Sequence, residues 1–117
     1  MPPALRIVWL VQSTYYILTA APAIVSRAFF ESMTGPKTDY WLVHMVALLA
    51  IAIGIAIGIA AWRRSITTET IVLSILAAAS FATIDIVYAL SGTISRIYLA
   101  DAGVEIILII AVAVFAR

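Results

Sequence analysis

No cysteine occurs in the chain, which excludes disulfides, thiol catalysis and thiolate metal sites. Charge is nearly as scarce. Only 11% of the 117 residues are charged, against about 25% in an ordinary soluble domain. The net charge of +1 comes with no basic face, so nucleic acid is not an expected partner. There is a single histidine, His44, and neither an H-x-x-x-H nor an E-x-x-H spacing, so no metal site is expected. A nucleophile elbow and a glycine-rich phosphate loop are both missing, and no residue pattern names a cofactor.

What the chain has instead is apolar side chain. Hydrophobic residues make up 65% of it and the mean hydropathy is +1.15. A water-soluble bundle of this composition would expose large apolar patches and aggregate. The expected class is therefore all-α, a polytopic membrane protein that places one domain, residues 1–117, across the lipid bilayer as a four-transmembrane-helix bundle.

Four spans are expected, over residues 4–25, 40–62, 69–90 and 97–116. The clearest is Tyr40–Trp62, whose only ionisable group is His44. Its length of roughly 34 Å covers a hydrocarbon core of about 30 Å with some tilt. Tyr40 and Trp41 read as one aromatic belt, and Trp62-Arg63-Arg64 as the other with a basic stop. The first span is the least apolar, carrying Gln12, Ser13, Thr14, Tyr15, Tyr16 and Thr19. Ala21-Pro22-Ala23 has the small-residue character of a signal-peptidase site, but the stretch before it is too interrupted for a signal sequence. Thr67 to Thr70 suit a helix N-terminus, and Ser91-Gly92 suits a helix end. Residues 26–39 form the one long loop. In it Arg27 to Met33 read as an interfacial helical turn with Phe29 and Phe30 dipping into the headgroups.

Four spans put both termini on one side, with Arg6, Arg63, Arg64 and Arg117. Arg27, Lys37 and Arg96 fall on the other. The positive-inside rule then expects cytoplasmic termini.

Three carboxylates lie inside these apolar segments: Asp85, Asp101 and Glu105. A charge at the centre of a membrane helix costs about 2.5–3.5 kcal/mol on insertion scales, so such groups tend to face a bundle interior and to act there. Counted from the span ends, His44 and Asp101 lie about 6 Å deep, Asp85 about 7–8 Å and Glu105 about 12 Å, all from the side opposite the termini. Asp101 and Glu105 are i,i+4 neighbours. Ser74, Ala78, Phe81, Asp85 and Tyr88 form one stripe, and Gln12, Tyr16 and Thr19 another, with Tyr15 alongside. The expectation is a pocket lined by Asp85, Asp101, Glu105, His44, Tyr15, Tyr16, Tyr88 and Gln12, opening toward the face away from the termini. Two carboxylates 4 Å apart repel by about 4 kcal/mol at an effective dielectric near 20, so three ionised acids need a shared proton, a bound cation, His44 or a basic rim residue. The plainer alternatives are that Asp101 is solvated at an interface, that Asp85 and Glu105 hold helices together through hydrogen bonds, and that Tyr15 and Tyr16 only pack.

Ala50, Gly54 and Gly58 repeat at four-residue spacing, and Gly54 to Gly58 is a G-x-x-x-G. Small residues there permit close approach of another helix, either an internal neighbour or a second protomer.

The run Thr34 to Val43 with the small-residue-rich span that follows, together with Asp85…Tyr88 and Tyr98…Asp101…Glu105, resembles a group of small four-span bacterial integral membrane proteins of no assigned function. More loosely, the size and helix count resemble the DoxX-like proteins, some of them linked to quinone-associated redox complexes. The resemblance implies a bacterial inner membrane. Carboxylates buried among four helices are also similar to sterol-isomerase-like and sigma-2-type ligand-binding bundles, by analogy of fold alone. Three functions stand open at this point. The first is binding or transport of a cation, amine or lipid-like small molecule. The second is an accessory role, as a homodimer or in a larger membrane complex, packed through the Gly54/Gly58 face. The third is a membrane-embedded enzyme using His44 and the carboxylates for acid–base, isomerase-like or quinone-redox-like chemistry.

Overall fold

The computed structural model describes residues 2–117. It contains five helices: α1 (Pro3–Val25), α2 (Arg27–Thr34), α3 (Tyr40–Trp62), α4 (Thr68–Leu90) and α5 (Tyr98–Phe115). All but α2 are long and apolar enough to cross a membrane. The molecule is 42 Å along its longest axis, close to the about 40–45 Å of a bilayer with its headgroups. The protein is an integral membrane protein on these grounds.

Local chemistry sets the helix ends. The Thr67 hydroxyl caps α4 by accepting from the Thr70 N–H at 3.1 Å. Beyond α4, Gly92 takes φ 81°, a left-handed turn that a residue with a Cβ rarely adopts. Ser26 breaks the chain between α1 and α2 in extended conformation and caps α2 through its side chain.

The spanning helices form two close pairs, α1 with α3 and α4 with α5. The pairs meet across α1–α5 and, more sparsely, across α3–α4. The G-x-x-x-G serves the first pair. A Cβ on Gly54 would stand 3.1 Å from the Ser13 carbonyl oxygen, and one on Gly58 only 2.6 Å from Ser13 Oγ. Ser13 Oγ uses that closeness to donate to the Gly54 carbonyl at 2.6 Å. Ala50, one turn away, packs with Ala20, Ala23 and Ala47. The neighbour served by this small-residue stripe is therefore internal. A protomer or larger complex docked on Gly54 and Gly58 is overturned, because α1 already fills that face.

An apolar plug at one end and α2 at the other bracket the middle of the bundle. Toward the termini, Leu5, Trp9, Ile57, Ala60, Ala61 and Val112 form the plug. At the opposite end, α2 is bolted down. The Arg27 guanidinium pairs with Glu31, donates to the Lys37 carbonyl at 2.9 Å and lies 4.6 Å above the Tyr40 ring. The hydrogen bond from Arg27, followed by that from the Lys37 backbone N–H, holds the Glu31 carboxyl below its ordinary range. Burial lowers the Lys37 ammonium.

Two belt expectations change. Tyr40 is buried, and its hydroxyl donates to the Ala23 carbonyl, an orphan at the end of α1, at 2.7 Å. Trp41 and Trp62 remain exposed at the two ends of α3. On α2 the outward residues are Phe29 and Met33, one turn apart, whereas Phe30 packs inward near Ala20 and Ala47.

Candidate functional site

Glu105 is fully buried on α5 and Asp85 is 6% exposed on α4. Asp101, one turn before Glu105, is half-buried at the start of α5. The three acids do meet. The Asp85 and Asp101 carboxyl groups lie within hydrogen-bond reach of each other, and Glu105 is close enough to feel the Asp101 charge. Both members of the Asp pair are acceptors, so only a proton makes that contact attractive.

Helix α1 supplies the partners. The Tyr15 hydroxyl donates to Asp101 Oδ1 at 2.5 Å. The Tyr16 hydroxyl donates to Glu105 Oε2 at 3.1 Å and accepts from Gln12 Nε2 at 3.2 Å. The same amide nitrogen donates to the Ser74 carbonyl on α4 at 2.9 Å, and the Trp9 indole donates to Ser74 Oγ at 3.2 Å. Gln12 and Tyr16 share a face because they are four residues apart, and Trp9 lies on that face three residues earlier. Phe81 closes the cluster from α4, its ring 5.2 Å from that of Tyr16 and edge-on.

Three buried oxygens in this cluster accept no hydrogen bond: Gln12 Oε1, Asp85 Oδ2 and Glu105 Oε1. Leaving a buried acceptor unsatisfied costs about 1–3 kcal/mol each. No basic side chain offsets them. Among the described residues, the one ion pair within 4 Å is Arg27–Glu31, on the rim.

Not every expected residue joins. His44 is exposed on α3, with its ring edge-on to Tyr40 at 5.0 Å. The inward line of α3 runs through Ala47, Ala50, Gly54, Ile57 and Ala61, and it faces α1, with α4 only sparsely touched. His44 sits off that line. Tyr88 is 42% exposed, since Ala89 takes the inward position one turn beyond Asp85. Thr19 turns its hydroxyl back to the Tyr15 carbonyl at 2.7 Å. Neither of the two described grooves reaches the acids. A groove of about 300 Å³ between α3 and α4, lined by residues such as Val46, Ile53, Ala77 and Phe81, holds no carboxylate. The shallower one, along Leu10, Val11, Thr14, Tyr15 and Leu18, holds none either. The acids form a packed cluster.

Trp9 was not expected in this network. Its signal was nevertheless in the sequence, since a tryptophan N–H facing a membrane interior needs an acceptor, and Ser74 is one of the few on α4.

Comparison with protein-family models, with curated proteins and with solved structures finds no match to this chain.

Proposed function

We propose that this protein is a membrane-embedded receptor for a small cationic species, a proton, metal cation or amine, taken up by Asp85, Asp101 and Glu105. One observation carries the reading. Three buried, unpartnered oxygens lie in one cluster of polar side chains, none of them positive. Buried charges are ordinarily paired, and an uncompensated one is strongly destabilising. A cation entering the cluster would satisfy both the charge and the empty lone pairs.

His44 stands apart from the acids, which removes the support for an acid–base enzyme built on it. An accessory role loses its proposed face to α1. We place the protein in a bacterial plasma membrane with cytoplasmic termini, on the resemblance to small four-span bacterial proteins and on the arginines at the terminal end.

Thermal unfolding in nanodiscs, titrated with sodium and with tetramethylammonium chloride, tests the reading. A ligand at one hundred times its Kd stabilises by about 2.7 kcal/mol. The expected result is a rise in Tm for the native protein that is lost in Asp85→Asn and Glu105→Gln while both remain folded. An undiminished shift in both variants would remove the acids from the binding role.

A further inference from the structure

We infer that the acid cluster exchanges protons with one side of the membrane only, the side of the α4–α5 turn. This rests on the cation-receptor reading and sharpens it by naming the species and the side of entry.

The polar groups around Glu105 are ordered by depth along the membrane normal, with hydrogen bonds linking those from Glu105 inward. Asp101 comes first, about 5 Å below the start of α5 and half-buried. Asp85 lies against it, and Glu105 sits one turn deeper on α5. From Glu105 Oε2 the hydrogen bonds run through the Tyr16 hydroxyl to Gln12 Nε2 and on to the Ser74 carbonyl. Carboxyls and hydroxyls both give and take a proton. The Gln12 amide nitrogen and the Trp9 indole only donate, so transfer stops there. Below them lies the apolar plug of Leu5, Ile57, Ala60, Ala61 and Val112. At its far edge Arg6 donates to the Ala61 carbonyl at 3.0 Å and closes the plug.

The titratable groups facing the acids are Tyr15 and Tyr16 from α1 and Tyr98 at the start of α5, with the Lys37 ammonium 5.3 Å above the Tyr98 ring. Uptake is simple in its balance. A hydronium at the turn gives its proton to a carboxylate and leaves as water, and one negative charge becomes a neutral carboxylic acid. A proton shared by Asp85 and Asp101 turns their contact into a hydrogen bond. A proton on Glu105 Oε1 converts an unpartnered acceptor into a donor, and Gln12 Oε1 is an unpartnered acceptor on the same network. A proton needs only such pairwise contacts. A metal ion needs several ligands converging on a point, and among the described residues no three acidic or imidazole groups do so.

Proteoliposomes with uniform orientation, fixed by protease access to a C-terminal tag, allow the two sides to be acidified separately. The probe is the proton itself, read from the infrared band of protonated carboxyls. Acidifying the turn side is expected to change the band at least tenfold faster than acidifying the terminal side. Proton flux under a membrane potential should match protein-free vesicles. Val112→Asp, or Val112→Ser should the first not fold, is expected to open the response from the terminal side. An equal response from both sides, or conductance in the native protein, overturns the inference. A band unmoved by pH and unchanged in Glu105→Gln also overturns it. In that case a surviving sodium or tetramethylammonium shift in Tm leaves the cation-receptor reading standing, and its loss removes both.

Discussion

The two faces of α1 are built by opposite rules. Toward α3 the helix packs dry and close. Ser13 sits over Gly54 and Gly58, and its one hydroxyl finds the Gly54 carbonyl at 2.6 Å. Toward α4 and α5 the same helix offers Gln12, Tyr15 and Tyr16 to three acids, and the cluster there closes with three oxygens left over. A seam that serves only stability has its polar groups satisfied. Unsatisfied groups persist where the rest of the fold can hold them in place, which is characteristic of sites that act.

The sharpest way to break the comparison is to overfill the dry seam. Gly54→Leu would drive a side chain into the Ser13 backbone, Ile17 and Tyr16, and a loss of about 3 kcal/mol or more is expected by thermal unfolding in detergent. Gly58→Ala should cost less, and Ser13→Ala should partly rescue it, since the clash is with the Ser13 hydroxyl. On the wet seam the sign should reverse. Glu105→Gln removes a buried ionisable group, and a gain of about 1–2 kcal/mol is expected, some part of the about 2.5–3.5 kcal/mol an acid costs at mid-membrane. A loss of stability in Glu105→Gln would make the acid structural and end the contrast. Tyr16→Phe deletes a donor to Glu105 and an acceptor for Gln12, with a cost of about 1 kcal/mol, near the upper range for hydrogen bonds between membrane helices.

The smallest expected effect lies outside both seams. Glu31 in the folded protein titrates below its unfolded value, because Arg27 and the Lys37 N–H stabilise the carboxylate. Its contribution is therefore complete above the unfolded value of about 4.3 and is lost as pH falls through the folded one. Amide protection over α2, corrected for intrinsic exchange, should fall only in that acid window, and Glu31→Gln should remove that fall.

The fold was legible because its signals are one-dimensional. Spans follow from the length of apolar runs, their ends from Thr67, Gly92 and the tryptophans, and depth from counting along each helix. The meeting of Asp85, Asp101 and Glu105 followed from depth and the i,i+4 spacing. Azimuth was harder. Tyr88 and His44 have the right depth but the wrong angle, and angle depends on which neighbour a helix meets. For α3 that neighbour is α1, and a G-x-x-x-G does not announce its partner. Tyr40 was misread for a related reason: an aromatic at a span end serves a belt unless a nearby helix end offers a free carbonyl, and here Ala23 does.

The hydrogen bond from Tyr16 to Glu105 joins residues 89 positions apart. During synthesis α1 enters the bilayer ahead of α5, bearing Trp9, Gln12 and two phenols, while Asp101 and Glu105 arrive only with α5. Until then α1 is held by its bonds to α3 and α4, and the two phenols lack their carboxylate acceptors. Chains truncated before residue 98 lack the acceptors of both phenols and are expected to be extracted and degraded.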